Sequence, residues 1–192
     1  MDKGTLPETI SAAQAGSEAA YQELLASYGP RLYGFFLRST GNSHDAEDLL
    51  SEMMVRLVQR LGKYEDRGRF DQWLFRIAGN LVRDRFRRQK VRPAVGSLHV
   101  TDQAGRELAD KLPSAGEPVG AELELAEDSE RLTEALGKLD EKTRSVLLLR
   151  HFGQLSFKQI AEIQGCPLGT ALARVHRGLA TLRSLMAEGA ER

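Results

Sequence analysis

Arg76, Asn80, Arg83 and Arg87 step by four, three and four residues, so an α-helix would carry them on one face. Such a row surrounds a carboxamide, which both donates and accepts, with guanidinium groups that fit phosphate oxygens and base edges. The chemistry it suits is nucleic-acid binding. A second set lies in LSFKQIAEIQGCPLGTALARVHRGLATLR, where Thr170, Arg174, Arg177 and Arg183 follow Gly165 and Pro167. This stretch has the build of a helix-turn-helix. Ser156 suits an N-cap, Gly165 a left-handed helix exit, and Pro167 the first turn of a second helix whose N-terminal residues would enter a major groove.

The elements that must hold these side chains are helical. Phe70, Trp73, Ile77 and Leu81 form the apolar side of the helix that carries Arg76 and Asn80, which assigns Trp73 to packing. Before it, Ala46, Leu50, Met53, Leu57 and Leu61 fall on one stripe, with Asp45, Glu47 and Asp48 in the first turn, where they favour the helix dipole. Breaks are expected near Gly29-Pro30, Gly41-Asn42 and Asp66-Arg67-Gly68. Toward the C-terminus, Leu168, Leu172, Val175, Leu179, Leu182 and Met186 predict the buried stripe of a closing helix. No alternating strand pattern stands out. The expected fold is all-α, with two helical domains joined by a flexible acidic linker.

The total charge hides this organisation, because 27 basic and 27 acidic residues cancel. From Arg67 to Arg92 nine basic residues face two acids, and from Asp102 to Glu130 nine acids face two basic residues. The acidic stretch also holds Gly105, Pro113, Gly116, Pro118 and Gly120, the composition of a linker. A lone Cys166 excludes an internal disulfide and supplies no metal-binding pair. His44 beside Asp45 and Asp48 reads as surface capping, so no metal site and no cofactor are expected. No run of apolar residues suits a signal peptide or a membrane span, and a cytoplasmic protein without membrane insertion is expected. Catalysis is not expected either: no phosphate-cradling glycine loop is present, and nothing orients Ser156 toward His151.

RFDQWLFRIAGNLVRDRFRRQ, preceded by DAEDLLSEMMVRLVQRL and followed by the helix-turn-helix, resembles the extracytoplasmic-function group of sigma-70 family factors. The resemblance covers about residues 17–92 as the second sigma domain and 129–187 as the fourth. It leaves residues 1–16 as an N-terminal segment, 93–128 as the linker and 188–192 as a tail. It implies a non-enzymatic factor that binds core RNA polymerase through the clamp helices of the largest subunit and the flap. Promoter DNA and an anti-sigma factor would be further partners, and the linker would thread toward the RNA exit path.

Carried over by position, Asp48, Ser51 and Glu52 would dock on the clamp helices, with Ser51 standing where the family usually has Gln. The loop Lys63 to Arg69 would hold a base flipped out of the minus-10 element. Lys63, Arg67, Arg69, Arg76, Asn80, Arg83, Asp84, Arg87 and Arg88 would form the minus-10 site, with Arg85, Arg87 and Arg88 on phosphates. Tyr64 and Phe86 are both candidates to meet an unstacked base.

Thr170, Leu172, Ala173, Arg174, His176, Arg177 and Arg183 would form the minus-35 site. Here the chain departs from the family. Ala171-Leu172-Ala173-Arg174 replaces the usual Val-Lys/Arg-Ser-Arg after Gly-Thr, removing two hydrogen-bonding positions. Leu172 is expected to extend the buried stripe, the alternative being contact with a thymine methyl. Asp140 stands where the family tends to have Pro and should alter only a helix start. Two other readings stay open: a sigma-like interaction protein with weakened DNA reading, and a helix-turn-helix regulator of the LuxR type.

Overall fold

The periodicity of the sequence is realised in helices throughout the computed structural model, which describes residues 5–91 and 129–190. The acidic stretch expected as a linker lies outside these residues. Eight helices follow in order among those described: α1 (Leu6–Gln14), α2 (Glu18–Thr40), α3 (Ser43–Leu61), α4 (Phe70–Val91), α5 (129–137), α6 (Glu141–His151), α7 (Phe157–Gln164) and α8 (Leu168–Ala190).

The first four form a bundle around Leu24, Leu32, Phe35, Phe36, Met53, Leu61, Leu74 and Phe75, all fully buried. Phe35 meets Phe36 and Phe75 edge to face, both at 5.7 Å between centroids. The N-terminal segment is part of this bundle. Ile10 and Ala13 of α1 are buried in the core against α2 and α3, although nothing in the sequence distinguished them. On α3 the packed stripe runs through Ala46, Leu49, Met53, Leu57 and Leu61, with Leu50 only half-buried.

The expected break at Gly29-Pro30 does not occur. Helix α2 runs through Pro30 because Leu24, Tyr28, Leu32, Phe35 and Phe36 around it are all buried. At about 1.5–3 kcal/mol for each buried side chain, their burial outweighs the roughly 3 kcal/mol cost of an interior proline. Pro30 itself faces solvent, where water can serve the carbonyl that its missing N–H leaves without a donor. The break at Gly41 is real. Gly41 takes φ +70° and lets Asn42 turn to cap α3, its side-chain oxygen accepting from the amide of Asp45 at 2.9 Å.

Helices α5 to α8 enclose a second core of Leu136, Leu139, Val146, Leu149, Leu155, Ile160, Ile163 and Ala171. The stripe expected on α8 is out of phase with the packing. Ala171, Val175, Gly178 and Leu182 face the core, whereas Leu168, Leu172 and Leu179 are exposed. The cause is Gly178. A Cβ there would lie 2.6 Å from Thr143 Cγ2 and 3.0 Å from Leu147 Cδ1, so α8 approaches α6 too closely for a large residue at the contact. The leucines flanking this contact are turned aside.

The two bundles join along a seam between α2 and α6 and between α4 and α7. Phe152 covers Gly34 so closely that a Cβ would meet its ring at 2.5 Å. Arg31 Nε donates to the carbonyl of Phe152 at 2.9 Å, and Arg144 Nη1 donates to that of Ser39 at 2.8 Å. Arg38 donates to the carbonyl and hydroxyl of Ser129 at 3.0 and 2.8 Å.

Asp140 starts α6 as its N-cap, accepting from the amide of Thr143 at 3.0 Å. Hydrogen bonding from Thr143 holds its carboxyl below the ordinary value of 3.8, against an opposing desolvation. A depressed acid stabilises the fold above its ordinary pKa, and the gain is lost as pH falls through the lower folded value. Asp140→Ala is therefore expected to cost about 1 kcal/mol in urea unfolding at neutral pH. Asp140→Asn should keep most of that stability and lose less of it on acidification to about pH 3.

Candidate nucleic-acid interface

The loop between α3 and α4 is held in place by short-range chemistry. Tyr64 Oη donates to Asp66 Oδ1 at 3.0 Å, and the same oxygen accepts from the amide of Gly68 at 2.9 Å. Gly68 makes this possible at φ +68°, a conformation that costs a side-chain-bearing residue more. From α1, Gln14 Nε2 donates to the carbonyls of Leu61 at 2.9 Å and Tyr64 at 2.6 Å, tying the end of α3 to the loop. Burial and the bond to Asp66 raise the pKa of Tyr64 well above that of a free phenol, so it stays a neutral donor.

Tyr64 lies 4.7 Å from Trp73 and 5.5 Å from Phe70 between ring centroids. Trp73 is half-buried. It therefore packs on the core side, as its stripe implies, while its remaining surface lines a cavity of about 470 Å³ together with Tyr64. Lys63, Arg67, Arg69 and Arg76 surround that cavity, each of them solvent-exposed, together with the acids Glu162 and Glu65, the latter paired with Arg67 at 2.6 Å. An aromatic wall inside a cationic rim is what an unstacked base and its phosphates require. Phe86, the other aromatic candidate, is packed against the core.

Along α4, Arg83 donates to Asn80 Oδ1 and to the carbonyl of Gly79, which fixes the Asn80 side chain with its amide nitrogen still able to donate. Arg87 pairs with Asp84 at 3.0 Å, and Arg88 is exposed. Arg85 is not available for the phosphate role expected of it. It bonds to Asp45 and lies 3.8 Å from Asp48, joining α4 to the start of α3.

On α3, Asp48 and Ser51 are exposed and Glu52 is half-buried, accepting from Arg56 at 2.5 Å. Val55 and Val58 continue this row and are 56% and 57% exposed. They belong to the same surface, and the spacing of Val55 four and three residues from Ser51 and Glu52, with Val58 three residues further on, was the signal that could have found them. His44 reaches Asp48 at 3.9 Å, and among the described residues no group of three His, Cys, Asp or Glu side chains could hold a metal.

The helix-turn-helix forms as its local chemistry dictates. Ser156 and Gln159 make a reciprocal capping box, and Gly165 ends α7 at φ +61°. On α8, Leu172, Ala173, His176, Arg177 and Arg183 are exposed, with Thr170 half-buried. Leu172 is 43% exposed, so it does not extend the buried stripe. Arg174 turns inward, donating to Gln164 Oε1 at 2.9 Å with Cys166 Sγ at 3.6 Å.

Two families of sequence meet this geometry. Residues 24–92 match the model of Sigma-70 region 2, and residues 129–182 match that of Sigma-70 region 4. The chain belongs to the extracytoplasmic-function group of the sigma-70 family. SigW of Bacillus subtilis, an extracytoplasmic-function RNA polymerase sigma factor, is 30% identical over 93% of this chain and 95% of its own. The RNA polymerase sigma factor CarQ of Myxococcus xanthus is 33% identical over 90% and 92%. The solved structure of CnrH in complex with the cytosolic domain of CnrY shares 26% identity, covers 94% of this chain and 96% of that one, and superposes with a TM-score of 0.64. The sigma factor RpoE of Bartonella quintana, solved with the anti-sigma factor NepR, has the same TM-score at 21% identity and supports the fold alone.

Helices α2 to α4 thus constitute region 2 with α1 packed beside it, and α5 to α8 constitute region 4. The sigma factor carries both regions, which sets aside a lone helix-turn-helix regulator. Because Trp73 is the sole tryptophan, its emission reports directly on the cavity of region 2. Tyr64→Ala is expected to shift that emission to the red by exposing the indole. Gln14→Ala should do the same to a smaller extent while leaving far-ultraviolet circular dichroism unchanged, and an unshifted spectrum in both would contradict the packing described.

Proposed function

We infer that region 2 docks this sigma factor on core RNA polymerase through Asp48, Ser51, Glu52, Val55 and Val58, and opens and reads the minus-10 element through the cavity beside α4. The observation that carries this reading is the cavity walled by Tyr64 and Trp73 under the rim of Lys63, Arg67, Arg69 and Arg76. Extruding a base costs a few kcal/mol of stacking, and aromatic stacking of about 1–3 kcal/mol with charge neutralisation at the rim offsets it without a chemical fuel. The protein acts by binding, as a non-enzymatic factor in the cytoplasm.

Asn80 is placed to read a base edge, with Arg83 and Asp84 beside it and Arg87 and Arg88 toward phosphates. Region 4 lays the start of α8 in the minus-35 major groove, using Thr170, Leu172, Ala173, His176 and Arg177, with Arg183 on the backbone. The flap of the polymerase suits the apolar groove lined by Leu132, Leu136, Leu147, Val175, Leu179 and Leu182. An anti-sigma partner fits the same surfaces, and the related CnrH is solved with the cytosolic domain of CnrY.

A second reading concerns region 4 alone. Leu172 and Ala173 present no hydrogen-bonding group, and Arg174 is held by Gln164, which favours weak or shape-based minus-35 recognition over direct readout.

Reconstitution with core polymerase on genomic DNA, followed by sequencing of transcript starts, tests the assignment. Specific starts sharing a minus-10 element are expected, and binding to core without specific starts would refute promoter reading. Arg76→Ala with Asn80→Ala should reduce those starts by about tenfold or more, as the loss of base contacts worth about 1–3 kcal/mol each implies. Leu172→Ala should change them by less than about threefold if region 4 reads shape rather than bases.

A further inference from the structure

Gln14 is the last residue of α1, exposed to solvent, and its carboxamide bonds to backbone 47 and 50 residues further along the chain. Both acceptors belong to the turn by which the chain leaves α3. Leu61 ends that helix, where the last carbonyls have no partner on the next turn. Its oxygen accepts from the amide of Tyr64 at 2.9 Å, and that of Arg60 accepts from the amide of Lys63 at 3.1 Å. Gln14 Nε2 bridges this turn from outside, donating to Leu61 at 2.9 Å and to Tyr64 at 2.6 Å. A carboxamide suits the task because its nitrogen carries two hydrogens and can serve two carbonyls at once.

The reach of Gln14 is set by the seating of α1. Thr9, Ile10 and Ala13 are buried on the inner face of this helix, which packs on α2 and α3. Thr9 Oγ1 donates to Glu23 Oε2 of α2 at 3.3 Å. Gly16, at φ +91°, turns the chain so that Ser17 caps α2. These contacts leave Gln14 facing the end of α3. The residue it holds there is the one whose ring walls the cavity of region 2. Asp66 fixes the hydroxyl end of Tyr64 at 3.0 Å, and Gln14 fixes its backbone. The ring is therefore anchored at both ends, while Gln14 itself does not line the cavity.

We propose that α1 is a positioning element of the minus-10 site and Gln14 a positioning residue, acting through the Leu61–Tyr64 turn to hold the aromatic wall ready for an unpaired base. The proposal rests on the minus-10 reading given above. Without the two bonds the turn keeps more freedom, and the cost of ordering it falls due when the base enters. Affinity for the unpaired strand is then lost, while contacts made elsewhere on the sigma factor are unchanged. Helix α1 lies before residues 24–92, which match region 2, so it adds a support for base capture from outside that segment.

Fluorescence anisotropy of holoenzyme, reconstituted with core polymerase, tests this on two fluorescein-labelled DNAs cut from a promoter located by its transcript start. One is a fork with the minus-10 segment unpaired, and the other a duplex that ends upstream of that segment. Gln14→Ala is expected to weaken binding to the fork by about fivefold, the equivalent of one or two exposed hydrogen bonds, and to the duplex by less than about twofold. Gln14→Glu has the same shape but sets an acceptor against two carbonyls, so it should lose at least as much on the fork. Tyr64→Leu keeps apolar volume against Phe70 and Trp73 but presents no ring. Gln14→Ala added to it should cost less than about twofold more, because the two residues act as one unit.

Wild-type affinity for the fork in both Gln14 variants overturns the positioning role. So does an equal loss on fork and duplex, which marks general damage to the fold, or an undiminished further loss on the Tyr64→Leu background. Any of these, with fork binding still weakened by Tyr64→Leu and by Arg76→Ala plus Asn80→Ala, leaves the minus-10 reading intact. Fork binding indifferent to Tyr64→Leu and to that double variant overturns the reading itself.

Discussion

The seat of Phe152 on Gly34 sets the relation between the two halves of this sigma factor. Its neighbours show why the seam is specific without being permanent. Arg31, Arg38 and Arg144 bring guanidinium groups out of water to meet backbone carbonyls, and burial lowers the pKa of Arg38 and Arg144 from the ordinary value. Among the described residues, Arg144 Nε is buried without an acceptor. A buried donor left unmade costs about 1–3 kcal/mol, comparable to the net gain of the bonds its guanidinium does make. Such a contact fixes one geometry and gives little surplus stability, whereas an apolar seam of the same size would hold the halves together more firmly.

The arginines fall into two groups that composition cannot separate. Arg31 pairs with Asp71 at 2.9 Å, lies over the rings of Tyr28 and Phe75, and bonds to Phe152. Arg85 joins α4 to Asp45 and Asp48, and Arg174 is held by Gln164. These act as structural donors, while Lys63, Arg69, Arg76, Arg88 and Arg177 present charge to solvent, and Arg67 does so paired with Glu65 at 2.6 Å. The basic block of the sequence therefore overstates the field available to DNA. The reduction is not uniform, since the cavity rim retains its cations and the recognition helix loses Arg174.

What could be read from the sequence was what local chemistry decides. The Ser156 cap, the left-handed Gly165 and the break at Gly41-Asn42 each depend on residues within a few positions, and each formed as expected. What could not be read depends on distant partners. Helix α2 passes Pro30 because five side chains around it are buried, and α8 rotates Leu172 outward because Gly178 meets Thr143 on another helix. Arg85 differs from Arg87 only in facing Asp45 across the bundle. Gln14 carried no signal at all, because its importance arises from two carbonyls about fifty positions away.

The outward turn of Leu172 bears on how the two promoter elements share the work. A recognition helix earns specificity through bidentate contacts of about 1–3 kcal/mol each, and here the early positions offer a leucine and an alanine. Contact with thymine methyl groups and phosphates can still orient α8, but it discriminates among bases less sharply than guanidinium or carboxamide groups do. Region 2 is built in the opposite way. Its loop is fixed by Gln14, Asp66 and Gly68, and its aromatic wall is already formed, so little ordering cost remains when a base enters. Preorganisation and hydrogen-bonding groups are thus concentrated at the cavity beside α4, the proposed minus-10 site. Under the proposed reading, selectivity in this sigma factor comes mainly from the melted strand, with region 4 supplying position more than sequence.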